Sequence, residues 1–261
     1  MDINITLLSV IIAAFVIASV FSMFGQGGGS VYTPILFLFG YAVLVSVSTS
    51  LVLNLITSVS AGYIFYRNKM IDFKRSLLFV PGIIIGSLAG AVVDNLKIVN
   101  TTFLLWLFVA FLIGAGARMV YAYWEKERAE REPPKTFSKA MYATIIAVSF
   151  FVGMLSSMLG VGGGIIIVPF MVYVCKYPTR WAAGASHFII SFSALFGVIG
   201  HGAFGNLDLT LILATGPAVL IGGNLGGRIG VKMKSGMMRV GVGIIMWVLA
   251  AQLILKLRGY M

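Results

Sequence analysis

Charge is what this chain of 261 residues has least of. Asp, Glu, Lys and Arg together make up 10%, and only eight residues are acidic. A soluble domain of this size runs nearer a quarter charged (~25%), so a soluble globular fold is excluded. The apolar segments hold no Asp or Glu apart from Asp94 at an edge. That leaves no carboxylate relay for protons and speaks against a cation channel or cation carrier. The one cysteine, Cys175, excludes a disulfide framework and a cysteine-built metal site. The two histidines, His187 and His201, lack a third metal ligand at usable spacing. No compact basic domain remains once the apolar runs are set aside, so the net charge of +11 does not point to nucleic acid. No pattern calls for a cofactor. An enzyme is disfavoured as well. Ser186 and His187 are neighbours on a predicted helix, where adjacent side chains point about 100° apart and serve badly as nucleophile and base.

What is present is hydrophobicity. Apolar residues make up 59% of the chain and mean hydropathy is +1.01. Apolar segments fall at about 4–24, 31–41, 43–66, 75–94, 101–123, 140–159, 165–175, 181–204, 209–230 and 237–257. Runs of roughly 18 or more such residues read as spanning helices. The opening MDINITLL has an acid and no Lys or Arg, so it reads as the start of the first span rather than a basic leader. Residues 124–139, WEKERAEREPPKTFSK, carry charges of both signs and a Pro-Pro pair, and read as a solvated linker between membrane halves 1–123 and 140–261. With all ten segments crossing and both termini outside, sixteen Lys and Arg fall on the cytoplasmic side and three on the outer side. If 31–41 and 165–175 are hairpins that fail to cross, the split is twelve against seven. The positive-inside rule prefers the first arrangement, which puts the linker in the cytoplasm and makes the lipid bilayer the basic residues' partner.

The two halves match each other. GQGGGSVYTP at 25–34 pairs with GVGGGIIIVP at 160–169 at an offset of 135. Further on the offset is 136, pairing Ser50 with Ser186, Asp72 with Asp208, Pro81 with Pro217, Gly86 with Gly222 and Gly90 with Gly226. Five segments per half is an odd number, so the halves insert with opposite orientation. The charges agree: the 67–75 loop carries four basic residues and its counterpart near 203–211 carries none. The expected fold is therefore an all-α integral membrane protein of about ten segments in two inverted repeats of five. The second segment of each repeat is a short half-helix after a Gly-rich loop. Inverted repeats with short, Gly- or Pro-interrupted segments at matching positions mark secondary transporters, and those segments point to the binding site.

Each short segment has about 11 residues, or roughly 16 Å of helix, half of the ~30 Å hydrocarbon core. The preceding stretches 25–30 and 160–165 cover the rest if extended. Each loop then runs into a helix N-terminus, where free N–H groups and the positive end of the dipole meet. Glycine lets a ligand come close to those N–H groups. The candidate anion-binding residues are Gly25, Gln26, Gly27, Gly28, Gly29 and Ser30 in the first loop, and Gly160, Gly162, Gly163 and Gly164 in the second. The plainer reading is that these glycines only let helices pack. The next segment of each half opens with small polar residues, STSLVLNL at 48–55 and GASHFIIS at 184–191. Thr49, Ser50, Asn54, Ser186, His187 and Ser191 could offer donors to the same space, against the alternative that Ser and Thr bond back to their own helix. His187 is the one deep group that titrates near neutrality and is the candidate for proton coupling.

The remaining features read as structural. Asp72 and Asp208 are expected helix N-caps. Gly82, Gly86 and Gly90, like Gly222, Gly226 and Gly230, recur every four residues, as close helix packing requires. Pro81 and Pro217 are expected to kink their helices. His201 sits near the outer mouth, at a surface or at a gate.

Taken together, the paired G-x-G-G-G-x-x-x-x-P elements, the Ser-containing stretch about 16 residues after each Pro, and the later Asp and Pro with Gly resemble the sulfite exporter TauE/SafE family over nearly the whole chain. The first half departs from the second in having Leu51 where the second has His187. The resemblance implies bacterial or archaeal plasma-membrane transport of a small sulfur-containing anion: sulfite, thiosulfate, or an organosulfonate such as sulfoacetate or isethionate. A singly charged anion gains about 2.3 kcal/mol per 100 mV on leaving an inside-negative cell, so export could run without a coupling ion. Import would need a co-transported cation, either a proton through His187 or sodium held by half-helix carbonyls. The competing reading is a channel or carrier for another small ion.

Overall fold

A computed structural model of the chain describes residues 3–96, 101–121 and 137–259. Among these residues all regular structure is helical. In chain order the helices are α1 (Ile3–Met23), α2 (Gly29–Leu38), α3 (Val43–Arg67), α4 (Phe73–Ser76), α5 (Val80–Leu96), α6 (Thr101–Tyr121), α7 (Lys139–Leu159), α8 (Gly164–Tyr173), α9 (Thr179–Gly202), α10 (Leu209–Gly230) and α11 (Ser235–Leu257). A 3₁₀ turn, Leu77–Phe79, joins α4 to α5, so Phe73–Leu96 is one span. Seven helices among the described residues are long and apolar enough to cross a membrane. Most of the 124–139 linker, residues 124–136, lies outside the described residues. Its last part leads into α7, where the Ser138 side chain accepts the Met141 N–H as an N-cap.

Two of the helices are half-length. α2 and α8 have ten residues each, which at 1.5 Å per residue is about 15 Å. Each contains the proline that ends its glycine motif, Pro34 in α2 and Pro169 in α8. The longer helices pack in pairs: α1 on α10, α7 on α5, α3 on α9 and on α10, α5 on α9, and α6 on α11. Exchanging α1 with α7, α3 with α9, α5 with α10 and α6 with α11 turns this set of pairs into itself.

The glycine stripes explain two of those pairs. A Cβ built on Gly82, Gly86 or Gly90 would run into the backbone of α7, at the carbonyls of Ile146, Phe150 and Met154. A Cβ on Gly222, Gly226 or Gly230 would do the same on α1, at Phe15, Ser19 and Met23. In lipid there is no hydrophobic drive between helices, so this backbone approach, and the dispersion contacts it allows, does the holding. The caps also fall where the sequence puts them. The Asp72 carboxylate accepts the Arg75 N–H, and Asp208 accepts the Leu211 N–H at 2.9 Å. The prolines behave differently from each other. Pro81 is the second residue of α5, just after the 3₁₀ turn, whereas α10 stays α-helical through Pro217.

Candidate functional site

α1 and α7 both stop short at a glycine, and for the same reason. Gly25 (φ +76°) and Gly160 (φ +69°) take the left-handed conformation, which L side chains disfavour. The Gln26 N–H reaches back to Phe21 O at 3.1 Å and the Gly25 N–H to Ser22 O at 3.3 Å. This is the Schellman closure of a helix C-terminus. In the second half the Val161 N–H reaches Ser156 O at 3.1 Å. Two further glycines in each loop are again left-handed, Gly27 and Gly28 before α2, and Gly162 and Gly163 before α8. Gly28 and Gly163 are the N-caps, so the loop delivers its chain straight into a helix start with no side-chain cap.

The two loops lie against each other. A Cβ on Gly29 would meet Gly160 O and the Val161 backbone, and a Cβ on Gly164 would meet Gly25 O and the Gln26 backbone. Residues 25–30 and 160–165 are all buried. Carbonyls left over at the ends of α1 and α7 are taken by side chains. Ser186 donates to Gly25 O at 2.7 Å. Ser50 lies 2.8 Å from Gly160 O and 3.0 Å from Gly29 O, and its one proton serves either. Each serine thus holds the loop of the other half. His187 Nε2 donates to Ser22 O at 3.0 Å, and His201 Nε2 donates to Ser157 O at 3.0 Å. Ser22 and Ser157 are equivalent positions at the offset of 135, although the two histidines are not. Leu51 stands at the counterpart of His187, and the second half meets its orphan carbonyl from His201 instead. His201 is fully buried, with Nδ1 at 3.3 Å from Asn95 Nδ2. A surface role for it is therefore ruled out.

Asn54 occupies the centre. Its carboxamide lies against both loops, where Cβ atoms on Gly27, Gly29 and Gly162 would strike it. Its Nδ2 sits 3.5 Å from Val161 O. Among the described residues its Oδ1 has no partner, nor does either polar atom of the Gln26 side chain, Ser30 Oγ, Thr49 Oγ1, Ser58 Oγ or His187 Nδ1. Every one of these residues is buried. Orphan buried polar atoms are rare and costly, so a cluster of them marks a candidate binding site. The side chains nearest the loop glycines are all neutral. Any ligand charge there would be met by backbone N–H groups, by the amides and hydroxyls, and by the α2 and α8 dipoles.

The family model for the sulfite exporter TauE/SafE matches residues 10–253. The chain belongs to that family. Among its curated relatives is the probable membrane transporter protein YunE of Bacillus subtilis, 28% identical over 94% of this chain and 96% of that one. A probable membrane transporter protein of Methanocaldococcus jannaschii is 29% identical over 73% of this chain and 70% of its own. A third, from Xylella fastidiosa, is 26% identical over 80% and 78%. No solved structure matches.

In this TauE/SafE member the predicted residues therefore separate into roles. Gly25 and Gly160 end helices, and their carbonyls are occupied. Gly27, Gly28, Gly162 and Gly163 make the turns into α2 and α8, while Gly29 and Gly164 are the first helical residues. Ser50, Ser186 and the Nε2 of His187 tie the loops down. Ser191 donates back to His187 O at 2.9 Å, as helix serines commonly do. Gln26, Ser30, Thr49 and Asn54 keep unpartnered polar atoms. Sequence reasoning passed over Ser58, whose Oγ faces the space a Gly27 Cβ would take. Its position one turn beyond Asn54 on α3 was the available signal. It also passed over Tyr32, which donates to Thr57 Oγ1 at 3.1 Å and pins α2 to α3.

Proposed function

We propose that this TauE/SafE membrane transporter is a secondary transporter of a small sulfur-containing anion, sulfite, thiosulfate or an organosulfonate. The substrate is held where the two glycine loops meet, by backbone N–H groups at the starts of α2 and α8, with Gln26, Ser30, Thr49 and Asn54 as side-chain partners. The observation that carries this reading is the cluster of orphan buried polar atoms beside two left-handed helix starts. The reading places the protein in the plasma membrane with both termini outside and the linker in the cytoplasm. The halves are inverted repeats that rock about the site to give alternating access. The self-exchanging set of helix pairs and the reciprocal Ser50 and Ser186 bonds support that arrangement.

A cation at the same place is disfavoured by the hydrogen bonding. The carbonyls a sodium ion would need, those of Ser22, Gly25, Ser157 and Gly160, already accept side-chain donors. The hydroxyls of Ser30, Thr49 and Ser58 and the Gln26 amide N–H are donors left without acceptors, as an anion requires, while Asn54 would donate through Nδ2, its open Oδ1 being an acceptor. The test is thermal unfolding of the purified protein with sulfite, thiosulfate, sulfate, sulfoacetate, isethionate and neutral controls. A rise with sulfur anions and none with the neutral compounds is expected. Stabilisation by sodium or potassium alone, whatever the anion, would overturn the reading.

A further inference from the structure

The two central helices, α3 and α9, end with the same backbone and with opposite chemistry. After α3 the Met70 N–H reaches Phe65 O at 3.0 Å and the Lys69 N–H reaches Tyr66 O at 2.9 Å, with Lys69 left-handed. At the offset of 136, the Asn206 N–H lies 3.5 Å from His201 O and the Gly205 N–H lies 3.0 Å from Gly202 O, with Gly205 left-handed. The side chains break the match. Phe65, Met70 and Val231 answer to His201, Asn206 and Asn95. Phe65 and Val231 belong to one apolar cluster with Ile64, Ala183 and Met238, and Met70 packs on it. Their counterparts form a hydrogen-bonded chain. Asn206 Nδ2 donates to Asn95 Oδ1 at 2.9 Å, Asn95 Nδ2 to His201 Nδ1 at 3.3 Å, and His201 Nε2 to Ser157 O at 3.0 Å. Ser48 Oγ on α3 adds a bond to Asn206 O, where its counterpart Gly184 only packs on Met70 O.

We propose that these clusters are the two gates of the site, and that they are built to open unequally: a hydrogen-bonded clasp of His201, Asn95 and Asn206 on the outer side, and an apolar plug of Phe65, Val231 and Met70 on the cytoplasmic side. The inference rests on the inverted-repeat reading above, which turns the ends of α9 and α3 to opposite faces, and it adds which exit yields first. Both are closed here, since the loops between them are buried. Parting the plug uncovers the Phe65 ring and Val231 to water, and each buried side chain so exposed disfavours the open state by roughly tenfold or more. Parting the clasp exchanges side-chain hydrogen bonds for bonds to water, at about two- to tenfold each. Asn95 and Asn206 are half-buried already, so water reaches them without further opening. The anion-free protein therefore opens outward more often than inward.

The experiment reads the exits with a thiol. Cys175→Ala removes the native one and Ser58→Cys places another beside the glycine loops. A membrane-impermeant trimethylammonium methanethiosulfonate then labels the full chain in anion-free right-side-out and inside-out vesicles. Labelling from outside should be about tenfold faster than from inside. Asn95→Val with Asn206→Met copies the plug onto the outer gate, leaves the His201 bond to Ser157 O in place, and should slow outside labelling about tenfold. Met70→Asn with Val231→Asn should speed inside labelling by a similar factor. Asn206→Ala, which unlinks the clasp and puts no plug in its place, should speed outside labelling alone and serves if the paired variants do not fold. A merely destabilised protein would label faster from both faces. Equal rates, the opposite bias, labelling from neither face, or variant effects shared by both faces overturn this inference. The anion reading is then still judged by its own thermal-shift panel. No anion response there, with the labelling bias intact, removes the anion and leaves the gates.

Discussion

Gly162→Ala puts the smallest possible side chain into the middle of the site, and its cost can be worked in parts. Gly162 has φ +78°, so any L residue there is strained, by about 1–2 kcal/mol. The new methyl would also coincide with the Asn54 carboxamide, which has to rotate away. Leaving its rotamer costs about 0.5–1.5 kcal/mol, and losing the Val161 O contact about 0.5–1.5 kcal/mol. The expected destabilisation is therefore about 2–5 kcal/mol, of which the Asn54 share is about 1–3 kcal/mol. That share is separable by a double-mutant cycle. Asn54→Ala removes the obstructing atoms, so the paired variant should be more stable than the sum of the single changes predicts by the same 1–3 kcal/mol or so. Denaturant titration in mixed micelles gives the free energies. Anion flux in proteoliposomes should fall in both single variants, because each removes part of the arrangement around Asn54. Additivity within about 0.5 kcal/mol would show that the carboxamide does not lie between the loops, and the description of the site would be wrong.

Gly28→Val or Gly163→Val should abolish anion flux in liposomes while membrane insertion is retained, since a β-branched residue at a left-handed N-cap closes the helix start. Wild-type flux in either variant would remove the glycine-loop hypothesis. Ser186→Ala leaves Gly25 O buried without its donor and should cost about 1–3 kcal/mol of stability, read in the same micelle titration. Ser50→Ala should cost a similar amount, and an effect near zero at both would mean that the loops are not held by each other's halves. Gly86→Ala should destabilise by about 1–3 kcal/mol, because its methyl meets the rigid backbone of α7 at Phe150 rather than a movable side chain. The neighbouring, outward-facing Ile85→Ala should cost less than half as much.

Much of this architecture could be read from the chain because it is written in periodicity and in glycine. The half-helices came from counting: 31–41 and 165–175 are too short to span as helix alone, and α2 and α8 prove to be ten residues each. The stripes Gly82–Gly86–Gly90 and Gly222–Gly226–Gly230 announced a close approach without saying what is approached, which is α7 and α1. Asp72 and Asp208 announced caps because a carboxylate before a helix has few other uses. The polar groups were harder to place. Ser186 and Asn54 look alike as small polar residues in an apolar segment, yet one ties down a carbonyl and the other is left with an open acceptor. That difference depends on where the opposite loop lies, and no local pattern encodes it. His201 shows the same limit. Its place near the outer mouth suggested a surface or a gate, and only the structure shows that the orphan carbonyl of Ser157 holds the ring buried.

The hydrogen bonds that fix the loops also bear on how they could move. On the proposed mechanism one half rocks against the other, and any such motion must disturb the bonds that cross between them. A buried carbonyl stripped of its donor costs about 1–3 kcal/mol, so breaking several at once would set a high barrier. Ser50 avoids part of that cost: Gly160 O gives up its donor, but the hydroxyl itself stays paired, because it already sits within reach of two acceptors, Gly160 O in the opposite half and Gly29 O in its own. One rotation about χ1 or of the O–H moves the proton from the intersubdomain bond to the local one, and the serine is never without a partner. Ser186 has only the cross-bond to Gly25 O here, and its counterpart acceptor would be Gly164 O, the residue equivalent to Gly29. If the repeat symmetry governs the transport cycle, the opposite-facing state should show the reverse: Ser186 shared between two carbonyls and Ser50 committed to one. A hydroxyl with one proton and two alternative acceptors is a low-cost joint between moving parts. That explains, in a way that packing alone does not, why serine stands at both equivalent positions while the residues around them diverge.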